Sequence, residues 1–147
     1  MFLCNDQCIG LELNSKSEVL QKLIDIAYDQ NVINDKEKVM NELIAREEVY
    51  CTDMQKNIAI PHTRCEFVTK STVVILKLKN EVSWESENTY GVKVVFCILV
   101  PSGDASANEH LQLLSKLAVK LMDEEFVEKI MSEDNAQNIL NIMEGEL

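Results

Sequence analysis

Residues Val92 to Val100 read VKVVFCILV, a run broken only by Lys93. A strand with one wet face alternates apolar and polar residues, whereas a nearly continuous apolar run marks a strand buried on both faces. Pro101, Ser102 and Gly103 then end it. One such strand already requires covering layers on both sides of a sheet. Working outward, Ser71 to Lys79 carries Val73, Val74, Ile75, Leu76 and Leu78, a second strand signal rich in β-branched and aliphatic residues. Glu81 to Gly91 connects the two, with Val82 and Trp84 alternating as a short edge element. Near the start, Ile9, Leu11 and Leu13 alternate with Gly10 and Glu12, the pattern of a short opening strand.

The remaining chain has helical spacing. Ser15 followed by Glu18 fits a capping box, and Leu20, Leu23, Ile24 and Ala27 follow on one face. Asn34 with Glu37 repeats the start signal, ahead of Val39, Met40, Leu43 and Ile44. This second helix ends with Arg46, Glu47 and Glu48. A third helix is expected from about Asn108 to Met122, burying Leu111, Leu114, Leu117, Ala118 and Leu121, with His110 in its first turn. Two shorter helices follow, one opened by Asp123 and one by Asp134. Helices before, between and after a few strands give an α/β fold, a single layered domain over residues 1–147 with helices on both faces of the sheet.

The 14 Lys plus Arg against 25 Asp plus Glu leave a formal net charge of −11, which disfavours nucleic acid and anionic membrane surfaces as partners. No apolar run approaches the roughly 18 to 20 residues that cross a bilayer, and MFLCNDQC lacks the basic start of a signal peptide, so a cytoplasmic protein without direct membrane insertion is expected. Five cysteines, without CxxC spacing, indicate neither a disulfide framework nor a zinc knuckle. Cys97, inside the buried run, reads as a small core residue.

The chemistry is expected around residues 56–64, KNIAIPHTR. Ile58, Ala59 and Ile60 form a short apolar strand that Pro61 stops, leaving His62 presented at its tip. Four readings of His62 stand at this point: a satisfied loop residue, a zinc ligand with Cys51 and Cys65, the base of a Cys–His pair, or a nucleophile itself. A neutral imidazole, with an ordinary pKa of about 6.5, is a nitrogen nucleophile at neutral pH. Arg46 likewise has a structural reading, as a cation beside the last carbonyls of its helix.

From Ser15 onward the chain resembles the enzyme IIA (EIIA) domain of the fructose/mannitol type in the bacterial phosphoenolpyruvate-dependent sugar phosphotransferase system (PTS). The resemblance rests on SKSEVLQKL at 15–23, AREE at 45–48, IAIPH at 58–62, VSW at 82–84, VKVVFCILVP at 92–101 and HLQLLSKLA at 110–118. It implies a mixed β-sheet flanked by helices. It also implies that His62 receives a phosphoryl group from the phosphocarrier HPr and passes it to an enzyme IIB (EIIB) domain, with His110 and Arg46 assisting near the phosphate and no cofactor or metal required. An EIIA-like regulatory module, whose phosphorylation controls a protein contact, is the alternative. Family members carry a glycine-punctuated TGIGxGIAIPH; the three glycine positions here are Asp53, Gln55 and Asn57. Asp and Asn tolerate left-handed backbone better than most residues, so positions 53 and 57 are where such a turn is expected to survive.

Overall fold

The computed structural model describes residues 1–54 and 56–147, and for residues 104–107, 109 and 110 the backbone alone. Strand β1 (Phe2–Leu3) precedes a single 3₁₀ turn (Asp6–Cys8) and helices α1 (Lys16–Asp29) and α2 (Lys36–Val49). Then come β2 (Asp53–Met54), β3 (Ile58–Ala59), β4 (His62–Cys65), β5 (Thr72–Val82) and β6 (Val92–Pro101), followed by α3 (Asp104–Lys120), α4 (Glu124–Ser132) and α5 (Ala136–Glu146).

These strands build one mixed sheet in the order β1-β5-β6-β3-β2, with β4 also on β6. The expected buried strand is its axis. β6 runs antiparallel to β5, and along its other edge it pairs in parallel with β3 at Val94 and Val95 and with β4 from Ile98 to Pro101. Thr72 to Leu78 of β5 and Val94 to Val100 of β6 are at most a few per cent exposed, except Lys77 at 6%, so both faces of the sheet centre are covered. The α/β class and the layered, mixed sheet are as the sequence implies.

Helix starts follow local chemistry. Ser15 caps α1 by accepting the Glu18 N–H at 3.1 Å, while the Glu18 carboxylate accepts the N–H of Asn14 and the hydroxyl of Ser15. Asp123 caps α4 as expected, whereas two other predicted caps move by one residue: Asp35, not Asn34, caps α2 by accepting the Lys38 N–H, and Asn135, not Asp134, caps α5. In each case the neighbouring polar residue has the extended backbone a cap requires. The expected opening strand shrinks to a single parallel bridge, Leu11 with Leu78, and the true sheet edge is Phe2–Leu3 beside Val73 and Val74. Helix α3 begins at Asp104, ahead of the expected Asn108, so the backbone of His110 lies in the second turn and not among the free amides of the first. Leu117 and Leu121 are buried as expected, whereas Leu111 is 64% exposed.

Lys77 is the one ammonium of the described residues that penetrates the sheet centre. Its Nζ donates to the carbonyls of Ile130, Met131 and Glu133 at 2.6 to 2.8 Å and so closes the C-terminus of α4. Burial holds its pKa below the usual lysine value, opposed by the carboxylate of Asp134. Lys77→Met strands those three carbonyls and is expected to cost about 2–3 kcal/mol in urea unfolding. Cys97 is fully buried, and desolvation pushes its thiol pKa up, in keeping with a core residue.

Candidate active site

Ile60 and Pro61 interrupt the ladder between β3 and β4, and Pro61 has no N–H to give. Its carbonyl nevertheless accepts the Ile98 N–H at 2.9 Å, so the chain stays on the edge of β6 and resumes pairing at His62. His62 is therefore a strand residue, register-matched to Ile98 and 6% exposed. This corrects the expectation of an imidazole presented at a strand tip: non-local pairing with β6 carries the backbone past the proline.

The ring is held from two sides. Nδ1 lies 2.8 Å from the Ile60 carbonyl oxygen. A carbonyl can only accept, so Nδ1 bears a proton, and in the neutral ring Nε2 carries the lone pair. The Tyr50 hydroxyl sits 3.3 Å from Nε2 and is the donor to that lone pair in the neutral ring.

Both neighbours are placed by one buried carboxylate. Glu47, in the last turn of α2, is 7% exposed. Its Oε1 accepts from Lys16 Nζ at 2.9 Å, Trp84 Nε1 at 3.0 Å and Thr52 N at 3.1 Å, and its Oε2 accepts the Thr52 hydroxyl. The Thr52 carbonyl in turn accepts the Ile60 N–H at 3.0 Å. A continuous path thus runs from Glu47 through Thr52 and Ile60 to the imidazole, and Tyr50 lies two residues before the same threonine. Lys16 also stands 5.5 Å from the centroid of the Trp84 ring, which closes the network.

Arg46 precedes Glu47 on α2 and points outward. With Glu42, Ala45, Val49, Thr63 and Arg64 it lines an open cleft of about 400 Å³ between α2 and β4. Arg64, two residues beyond His62, donates to the carbonyl of Gly103, the residue that precedes α3. The structure thus sets Arg46 against the strand that bears His62. The side chain of His110 lies outside the described residues.

The loop into β3 keeps left-handed backbone without glycine. Asn57 has φ 63°, as expected of an asparagine replacing glycine, and its side chain is bonded to Gly91 O and Glu81. Lys56 has φ 68°, a position the sequence did not flag, while Asp53 sits in β2, bonded to Ser86 and Asn88. Gln55 lies outside the described residues. Among the described residues no group of three His, Cys, Asp or Glu side chains converges as a metal site. Cys51 Sγ lies 3.9 Å from Lys16 Nζ, and Cys65 is buried in β4.

The sequence does not single out Tyr50, Thr52 and Trp84 as site residues, and shows Glu47 only at a helix end and within AREE. A glutamate at a helix end ordinarily faces water. The only local hint is that VSW places an indole N–H in an otherwise apolar element, where it needs an acceptor.

The comparisons agree with this architecture. The chain is 29% identical over 129 residues to the fructose-specific EIIA component of Haloferax volcanii, covering 88% of this chain and 82% of that protein. It spans only 12 to 17% of the longer multiphosphoryl transfer proteins it also matches. Among solved structures, the nitrogen regulatory protein IIA-Ntr of Neisseria meningitidis superposes with a TM-score of 0.82 at 26% identity, covering 95% of this chain and 94% of that one. The IIA mannitol protein of Escherichia coli, solved in complex with phosphorylated enzyme IIB mannitol, gives 0.79 at 20% identity, covering 99% of each chain, a likeness of fold. The family model for EIIA 2 of the phosphoenolpyruvate-dependent sugar phosphotransferase system matches residues 2–146, and the chain belongs to that family.

Proposed function

We propose that this protein is a cytoplasmic phosphocarrier that accepts a phosphoryl group from HPr on Nε2 of His62 and passes it to an EIIB domain, in uptake of a fructose/mannitol-class sugar. The observation that carries the reading is the 2.8 Å contact from Nδ1 to the Ile60 carbonyl, which leaves the nucleophilic lone pair on Nε2 and stabilises the positive charge the ring acquires as the N–P bond forms. Phosphoryl transfer spreads charge over three equatorial oxygens, so positioned cations are what the site must supply. Arg46, in the cleft beside β4, is assigned that role. His110 is assigned a donor role on family resemblance, through its side chain and not through the free amides of a helix start. Val49, 75% exposed, and Tyr50 offer an apolar rim on which a partner can dock.

Arg46→Ala is expected to slow transfer from phosphorylated HPr by roughly 10²-fold, the usual loss for one charge-stabilising donor, with an unchanged melting midpoint. Rapid-quench assays check this, and an unchanged rate returns Arg46 to a purely structural role at its helix end.

The likeness to IIA-Ntr favours a second reading, in which phosphorylation of the same histidine controls a protein contact. Incubation with phosphoenolpyruvate, enzyme I and HPr is expected to give one acid-labile, base-stable phosphoryl group by intact mass. No uptake sinks both readings. Addition of the fructose- and mannitol-type EIIB domains is expected to discharge the group; uptake without discharge selects the regulatory reading.

A further inference from the structure

Beyond the residues assigned above, a side chain at the end of α2 touches the atom that reacts. Tyr50 closes that helix, with an extended backbone and its N–H donating to Arg46 O at 3.3 Å. Its phenol oxygen lies 3.3 Å from His62 Nε2, the two ring centroids 6.3 Å apart and the planes tilted by 43°. The imidazole is buried, whereas Tyr50 is 50% exposed. The reacting ring is thus fixed, while the hydroxyl that covers it belongs to a side chain with solvent to turn into. The backbone of Tyr50 cannot drift, because Arg46 holds it on one side and the Glu47–Thr52 contacts hold it on the other.

We propose that Tyr50 is a catalytic residue of the transfer, covering the His62 Nε2 lone pair in the free protein and donating to a phosphoryl oxygen once that lone pair is bonded to phosphorus. The inference rests on His62 as phosphoryl acceptor. In the step itself, the Nε2 lone pair forms the new N–P bond as the P–N bond of the donor breaks, its electron pair returning to the donor's imidazole nitrogen. His62 keeps its Nδ1 proton against Ile60, so its ring gains the positive charge the donor's ring loses, and no proton crosses between the proteins. A lone pair that accepts an O–H cannot attack phosphorus, so the phenol has to leave Nε2 as the phosphoryl group arrives in line. The oxygens of that group then occupy the space beside the vacated position, within reach of the same hydroxyl. A neutral donor suits this duty, since it shields the phosphohistidine from water without an ion pair that the next transfer would have to break.

The test uses two phosphoryl donors, phosphoramidate, which needs no partner surface, and phosphorylated HPr, offered to wild-type protein and to Tyr50→Phe, which keeps the ring and removes the hydroxyl. The phosphorylated variant is expected to hydrolyse roughly 3–10-fold faster than wild type, the effect of losing one neutral hydrogen bond. In the free variant the ¹⁵N resonance of His62 Nε2 is expected to move downfield of its wild-type position, by the loss of the Tyr50 donor. A variant phosphohistidine with the wild-type half-life overturns the proposal, whatever the spectrum of the free protein. Wild-type protein that takes up no phosphoryl group at His62 from either donor overturns the relay as well, so the two failures are distinguishable.

Discussion

His62→Ala is expected to take up no phosphoryl group from phosphorylated HPr while keeping its fold. The loss is complete because, in the proposed relay, the ring held between Ile60 and Tyr50 is the nucleophile, and the surrounding groups orient it or neutralise charge. The structural cost is small by comparison. Alanine leaves the Ile60 carbonyl and the Tyr50 hydroxyl without the imidazole, about 1–3 kcal/mol, which a domain of ordinary stability tolerates. Circular dichroism with intact-mass analysis checks both halves; phosphate retained by the variant moves the site elsewhere.

Glu47→Ala is expected to have the opposite profile, a large loss of stability with the nucleophile left in place. Removing the carboxylate strands the Lys16 ammonium, the Trp84 indole N–H and both Thr52 donors in a buried site. Breaking one side of a buried ion pair costs about 3–5 kcal/mol, which for a domain of this size lowers the melting midpoint by about 10 °C. Lys16→Met combined with Glu47→Leu removes the charge with its partner and is expected to cost less than Glu47→Ala alone. If Glu47→Ala melts within 2 °C of wild type, on the scale of about 2–4 °C per kcal/mol, the network does not hold the loop. Since Thr52 and Ile60 lie on the path to Nδ1, slower phosphoryl uptake is expected to accompany the lost stability.

The parts legible in the sequence are those whose signal is local. VKVVFCILV could only be a strand covered on both faces, and the Ser15 cap and the leucine stripes place α1 and the later part of α3 without any long-range information. The parts that were not legible depend on partners distant in the chain. Pro61 reads as a stop because it lacks a donor, yet Ile98, 37 residues on, supplies the donor and keeps His62 in the sheet. Phe2 and Leu3 are too short a run to read as a strand, and it is Val73 and Val74 beside them that make them one. Glu47 carries the same side chain as its neighbour Glu48, and only the positions of Lys16, Thr52 and Trp84 distinguish a buried acceptor from a solvated charge. The start of α3 is not legible because Gly103, which precedes it at φ 131°, offers no capping side chain to read.

The loop before His62 is a similar lesson. Glycines were expected to be replaced most easily by Asp53 and Asn57, and Asn57 does adopt the left-handed region. Asp53 instead pairs with Ala59 across the β2–β3 hairpin, and Lys56 is the other left-handed position among the described residues of the loop. Each of these two left-handed positions costs about 1–2 kcal/mol for a non-glycine side chain.

Nitrogen-15 NMR of the phosphorylated, uniformly labelled protein tests the central claim most directly, by locating the phosphoryl group on one atom. Coupling of ³¹P to His62 Nε2 is expected, with Nδ1 still protonated against the Ile60 carbonyl. A phosphoryl group on Nδ1, or on any residue other than His62, would contradict it.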